Sequence, residues 1–137
     1  MASYLYTICY GDTDAGGVVY FANYLRLCER SWFNYLKERG WDLSREEQNG
    51  IYLTVKKVEA SYLSPARYGM TLEIQTTIAS LGRANFWFLH NMIDHDTQVP
   101  IALVKNQMVA VDTSGKLKRL SGRLHQILLK AYEEENR

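Results

Sequence analysis

YGDTDAGGVVYFANY, residues 10–24, sets two acids one residue apart, then two glycines, then an apolar run that opens a segment with helical spacing. Upstream, Ser3 to Tyr10 is rich in tyrosine, isoleucine and threonine and ends at Gly11, which reads as a strand entering a turn. Downstream, apolar residues fall at Phe21, Tyr24, Leu25, Cys28, Trp32, Tyr35 and Leu36, a helical stripe that stops at Gly40, a C′ glycine. The stretch is therefore a strand-to-helix junction with carboxylates at the helix entrance.

Farther out, SREEQNG (44–50) holds a short helical turn closing on Asn49 and Gly50. The period then changes. Ile51–Leu63, Thr71–Leu81, Ala84–Ile93 and Val99–Asp112 favour strand by their β-branched and aromatic content, with breaks at Pro65 and Gly69, at Gly82, and from Asp94 to Pro100. Alternation is cleanest in Leu72, Ile74, Thr76 and Ile78. In Ile51–Leu63 the apolar phase slips around Lys56 and Lys57, which a β-bulge explains. TSGK (113–116) reads as a turn, and Ser121 caps a final helix with the stripe Leu124, Ile127, Leu128 and Ala131. Strands joined by turns favour an antiparallel sheet, so the order predicts an α+β domain with the long helix across the sheet's concave face.

A chain of 137 residues suits one domain, taken as 1–137. With 47% hydrophobic and 23% charged residues it has the composition of a folded globular protein. A net charge of +1 supplies no field that would argue for nucleic acid or a membrane surface. No run approaches the ~18 apolar residues of a membrane span, and MASYLYTICY lacks a secretory pattern. Cys9 and Cys28 sit in apolar segments without CxxC or zinc spacing, which predicts two buried thiols in a reducing cytoplasm.

At the junction, unpaired backbone N–H groups and the helix dipole favour negative charge, so Asp12 and Asp14 stay ionised there. Gly16 and Gly17 lack a Cβ and let a ligand approach the backbone. A carboxylate beside backbone donors suits acyl transfer: the acid attacks a carbonyl or activates water, while an N–H stabilises the oxygen that gains charge. A capping or turn element has the same spacing. No metal is expected, because no His, Cys or further acid lies nearby in sequence.

The string DTDAGGVVYFANY, with CER four residues on, resembles the 4-hydroxybenzoyl-CoA thioesterase group of hotdog-fold proteins. It looks most like the bacterial acyl-CoA thioesterase branch associated with the Tol–Pal genes. ASYLSPARYG (60–69) and TLEIQTTI (71–78) extend the likeness to that branch's second and third strands.

The resemblance implies a five-stranded antiparallel sheet around a helix from about Ala22 to Arg39. It also implies homodimers or homotetramers, with the active site at the dimer interface. Asp14 falls on the family's catalytic carboxylate, as nucleophile or general base. Phe21 falls on the position whose backbone N–H polarises the thioester carbonyl, where many members of the branch carry His. The implied reaction releases a free acid and coenzyme A, the latter part of the substrate rather than a cofactor. The acyl group is expected between the helix of one protomer and the 51–55 strand of the other. Aromatic acyl-CoAs, of hydroxybenzoyl or dihydroxynaphthoyl type, are the alternative substrates. A non-catalytic module that binds acyl chains or acyl carrier protein is the rival from another class.

Among other residues, Asp12 is read as organising the loop and Tyr20 as lining the site. Arg67, after SPA, and Arg83, in the turn LGR, are the cations offered to coenzyme A phosphates. His90 alternates with Phe86 and Phe88 and reads as a satisfied sheet residue.

Overall fold

The computed structural model describes residues 2–137. The elements run β1 (Ala2–Thr7), α1 (Asn23–Glu38), α2 (Leu43–Gln48), β2 (Tyr52–Tyr62), β3 (Thr71–Leu81), β4 (Asn85–Asp94), β5 (Pro100–Val111), β6 (Leu117–Lys118) and α3 (Gly122–Glu135). Every pairing is antiparallel, and the sheet order is β1-β3-β4-β5-β2, with β6 beside β5. The first strand enters the sheet beside β3, and α1 lies on one face of the sheet. This is the α+β hotdog arrangement.

Two features depart from expectation. The sheet has a sixth, two-residue strand, because Asp112 to Lys116 closes a hairpin: the Asp112 N–H donates to the Lys116 carbonyl, and Asp112 Oδ1 accepts from the Ser114 and Lys116 N–H groups. In α1 the buried face runs Tyr24, Leu27, Cys28, Ser31, Trp32, Tyr35 and Leu36, whereas Leu25 is exposed. Leu25 turns instead toward a groove between α1 and β2.

The anticipated bulge is present: β2 shifts register against β5 between Val55 and Lys57. Ser121 caps α3 by accepting the Leu124 N–H at 3.1 Å, and Gly40 follows α1 with φ +90°, a conformation that favours glycine.

The core forms where α1 crosses the inner residues of β3, β4 and β5. Trp32 and Tyr35 meet Phe88, with ring centroids at 6.1 and 5.6 Å. Large buried side chains such as Leu72, Phe86, Phe88, Met92 and Met108 each contribute about 1.5–3 kcal/mol relative to exposure. Alternation along β3 and β4 is what places these residues on the same face as α1.

At one end of the sheet α3 packs against β3 and its last residue acts as a clasp. Glu135 Oε2 accepts the Tyr35 hydroxyl at 2.6 Å, and Oε1 accepts the Ile78 N–H at 2.8 Å beside the β3 bulge. Arg39 lies over the Tyr35 ring at 3.5 Å. The junction loop of residues 8–22 sits at the other end, tied to the start of β3 through Ile8 and Met70.

Candidate active site

The two acids of the junction have opposite environments. Asp12 is buried and fully engaged: Oδ2 accepts the Tyr6 hydroxyl and the Cys9 N–H, each at 2.8 Å, and Oδ1 accepts from Arg26 at 3.1 Å. Its carbonyl also accepts from Tyr20 N–H and from Asn23 Nδ2. Asp12 therefore fastens β1, the loop and α1 together. Burial, with the Asp12 hydrogen bond next, pushes the Tyr6 phenol up to about 12.

Asp14 is exposed, on a tight loop closed by the Thr13–Val19 bridge. The Asp14 N–H donates to the Val18 carbonyl, and the Gly16 N–H donates to Asp14 Oδ1 at 2.8 Å. Among the described residues Oδ2 has no partner. Both glycines have a physical reason. Gly17 adopts φ +77°, and a Cβ on Gly16 would stand 3.2 Å from Asp14 Oδ1.

Asp14 and Phe21 line one cleft of about 340 Å³, together with Val19, Tyr24, Tyr62 and Ser64. The Phe21 N–H has no acceptor among the described residues, while its carbonyl accepts the Tyr62 hydroxyl at 3.0 Å. A residue with a free carboxylate oxygen and one with an unsatisfied amide thus line the same cleft. Tyr62 and Ser64 were not singled out from the sequence. The signal for them lay in SYLSPAR, which turns the end of β2 back onto the loop.

The remaining expectations divide. Arg67 is exposed beside the loop: it bridges to Val18, and its Nη1 lies 3.6 Å from where a Gly17 Cβ would be. Tyr20 packs on Phe21, ring centroids 4.8 Å apart, but does not line the cleft. Arg83 is not brought to Asp14 within the chain. It sits in the β3–β4 turn, beside Leu120, at the opposite end of the sheet. The cysteine expectation is corrected: Cys28 is buried, its thiol pushed up to about 12 by burial, whereas Cys9 is exposed because it lies past the end of β1. Among the described residues no group of three or more His, Cys, Asp or Glu side chains could hold a metal ion, and no helix is long and apolar enough to cross a membrane.

A single sheet wrapped on a long helix, with a carboxylate and a free amide at the helix entrance, defines a hotdog protein of thioesterase type. The chain belongs to the Thioesterase-like superfamily, whose family model matches residues 9–128. It is 36% identical over 74 residues to an acyl-CoA thioesterase YbgC of Helicobacter pylori, a stretch covering 54% of this chain and 53% of that relative. It is 34% identical over 90 residues to a 1,4-dihydroxy-2-naphthoyl-CoA hydrolase of Synechococcus elongatus, covering 63% of this chain and 66% of the other. The matched stretch thus spans about half the length of the H. pylori relative. In fold, it is similar to the crystal structure of a 1,4-dihydroxy-2-naphthoyl-CoA thioesterase from Synechocystis. The TM-score is 0.85 at 20% identity, covering 98% of this chain and 97% of that one.

Proposed function

We propose that the protein hydrolyses an acyl-CoA thioester to the free acid and coenzyme A, as a member of the branch associated with the Tol–Pal genes. The observation that carries this reading is the shared cleft of Asp14, with a free carboxylate oxygen, and Phe21, with a free N–H. The thioester carbonyl sits against the Phe21 N–H. Asp14 then either takes a proton from an attacking water or attacks the carbonyl itself, expelling the coenzyme A thiolate to give a mixed anhydride that water opens to the free acid and the Asp14 carboxylate. In the first route the tetrahedral oxyanion is held by the Phe21 N–H. It collapses with loss of the coenzyme A thiolate, which receives the proton from Asp14. Arg67, an exposed cation beside Gly17, is the residue we assign to a phosphate of the nucleotide.

The S. elongatus relative favours a second reading, an aromatic acyl group in place of an aliphatic one. The assembly we propose is a homodimer through the β2 edge. Apart from its start, β2 is exposed along its length, with Val55, Val58 and Tyr62 uncovered, and its outer edge carries no paired strand among the described residues. This unpaired edge, which mixes those apolar residues with Lys56, Lys57 and Glu59, is the one we assign to pairing with a second copy. In such a dimer Arg83 would have to serve the partner's site, since it is remote from its own.

The test is thiol release from short-chain, long-chain and aryl CoA thioesters by wild type and Asp14→Asn at matched oligomeric state. Release by wild type and its loss in the variant support the reading. Absence of release across the panel, or full activity in the folded variant, overturns it.

A further inference from the structure

A second cavity, of about 310 Å³, lies farther along α1. The cleft takes Tyr24 of α1 and Tyr62 of β2, and the cavity takes Leu25 and Val58, so the two follow one another between the same elements. Its walls are mainly apolar: Leu25, Cys28, Trp32, Val58 and Val104. Arg26 and Glu29, both exposed, stand at its rim, and Arg26 is committed to Asp12. Unlike the walls, one buried lining residue is polar. Asn106 is only 3% exposed, yet it is among the residues that line the cavity.

The orientation of that amide is fixed from behind. Nδ2 lies 3.0 Å from Met108 Sδ, a thioether that can only accept, so Oδ1 faces His90 Nε2 at 2.7 Å. His90 therefore donates from Nε2, and its Nδ1 accepts from the Thr76 hydroxyl at 2.8 Å. Thr76 in turn accepts from Ser31, at 2.6 Å. The buried chain runs in one direction, Ser31 to Thr76 to His90 to Asn106, with the Thr76 hydroxyl accepting at one side and donating at the other. Among the described residues the second N–H of the Asn106 amide has no acceptor.

We infer that Asn106 is a specificity-determining residue at the floor of an acyl subsite, donating its free N–H to an oxygen on the far part of an otherwise apolar acyl group. His90, Thr76 and Ser31 are positioning residues that hold the amide in the donating orientation. This rests on the thioesterase reading and deepens it, because it names the chemistry of the acyl group. From Asn23 to Cys28 α1 rises about 7 Å, so the oxygen belongs at the end of a medium-length chain or across an aromatic ring from the thioester. Pockets that are mostly apolar with a single placed polar group discriminate in this manner, because an unmatched buried donor penalises the ligand that lacks the oxygen.

The experiment compares two matched pairs, octanoyl-CoA with 7-oxooctanoyl-CoA and phenylacetyl-CoA with 4-hydroxyphenylacetyl-CoA. Binding is measured by calorimetry on Asp14→Asn protein, so that the thioester survives, and turnover is measured on wild type. With Asn106 present, the oxygenated member of at least one pair binds about three- to tenfold more tightly, the worth of one buried hydrogen bond. Adding Asn106→Leu abolishes that preference. Thr76→Val, which does not line the cavity and leaves Asn106 intact, reduces it; should the Leu variant fail to fold, Thr76→Val carries the test. A merely structural role for the chain would weaken both members of a pair equally. Equal binding of both members with Asn106 present, or an undiminished preference in the variants, overturns the inference while leaving the thioesterase reading standing. Neither binding nor turnover of any member overturns both.

Discussion

The two ends of the sheet treat their polar groups differently. At the α3 end, Glu135 gives one oxygen to Tyr35 and the other to the Ile78 N–H, and Arg39 covers the Tyr35 ring. At the junction end Asp12 is equally well matched, yet two residues away Asp14 keeps a free oxygen and Phe21 a free N–H. Matched groups stabilise the fold, whereas unmatched ones are tolerated where a ligand completes them. The contrast also separates the two acids of one motif: Asp12 builds the loop on which Asp14 is presented.

The sharpest way to break this contrast is to neutralise Asp14. Asp14→Asn is expected to lower thiol release by on the order of a thousandfold with little change in the thermal midpoint, because that carboxylate supports no buried group. Its mirror image is Glu135→Ala, expected to cost about 2–4 kcal/mol in denaturant unfolding by orphaning the Tyr35 hydroxyl and the Ile78 N–H. Thiol release per folded molecule should be unchanged. A loss of activity without loss of stability in the Glu135 variant would end the division of labour between the two ends.

Between the ends, His90 sharpens the comparison through pH. Burial holds its imidazole down from 6.5 to about 4, so the unfolded chain binds a proton before the native protein does. The stability it permits is complete above about pH 6.5 and is lost progressively as pH falls toward 4. The loss amounts to on the order of 3 kcal/mol over that window. Urea midpoints of wild type and His90→Gln at pH 7 and pH 5 should show a steeper fall in wild type. The smallest expected effect is Tyr62→Phe, which removes the hydroxyl bonded to the Phe21 carbonyl. A loss of about 1 kcal/mol, read as a several-fold fall in kcat with stability nearly unchanged, is the expected outcome.

Much of the fold was legible because it is written in periodicity. The alternation of Leu72, Ile74, Thr76 and Ile78 matched the buried face of β3, and the slip of apolar phase at Lys56 and Lys57 located the register shift in β2. Features of two or three residues were not legible: β6 is too short to show a period, and its hairpin depends on Asp112 gathering N–H groups. Leu25 and Leu27 are equally apolar, and only the position of β2 leaves the first in a groove while the second is buried.

The geometry of the junction was legible where a local motif carried it: Asp14 and Phe21 line one cleft, whereas Gly16 and Gly17 shape the loop without lining it. The polar chain behind Asn106 was not, since Ser31, Thr76, His90 and Asn106 come from α1, β3, β4 and β5 and converge only through packing. For the same reason the different fates of Asp12 and Asp14 needed Tyr6, Cys9 and Arg26, which lie on both sides of the loop.

The clasp of Glu135 on Ile78 has a consequence for amide exchange. The N–H of Ile78 donates to a carboxylate from the last turn of α3. Its deuterium uptake therefore follows undocking of α3, whereas interstrand amides farther along β3 follow opening of the sheet. One backbone position thus reports the lifetime of the helix on the sheet, separately from global unfolding.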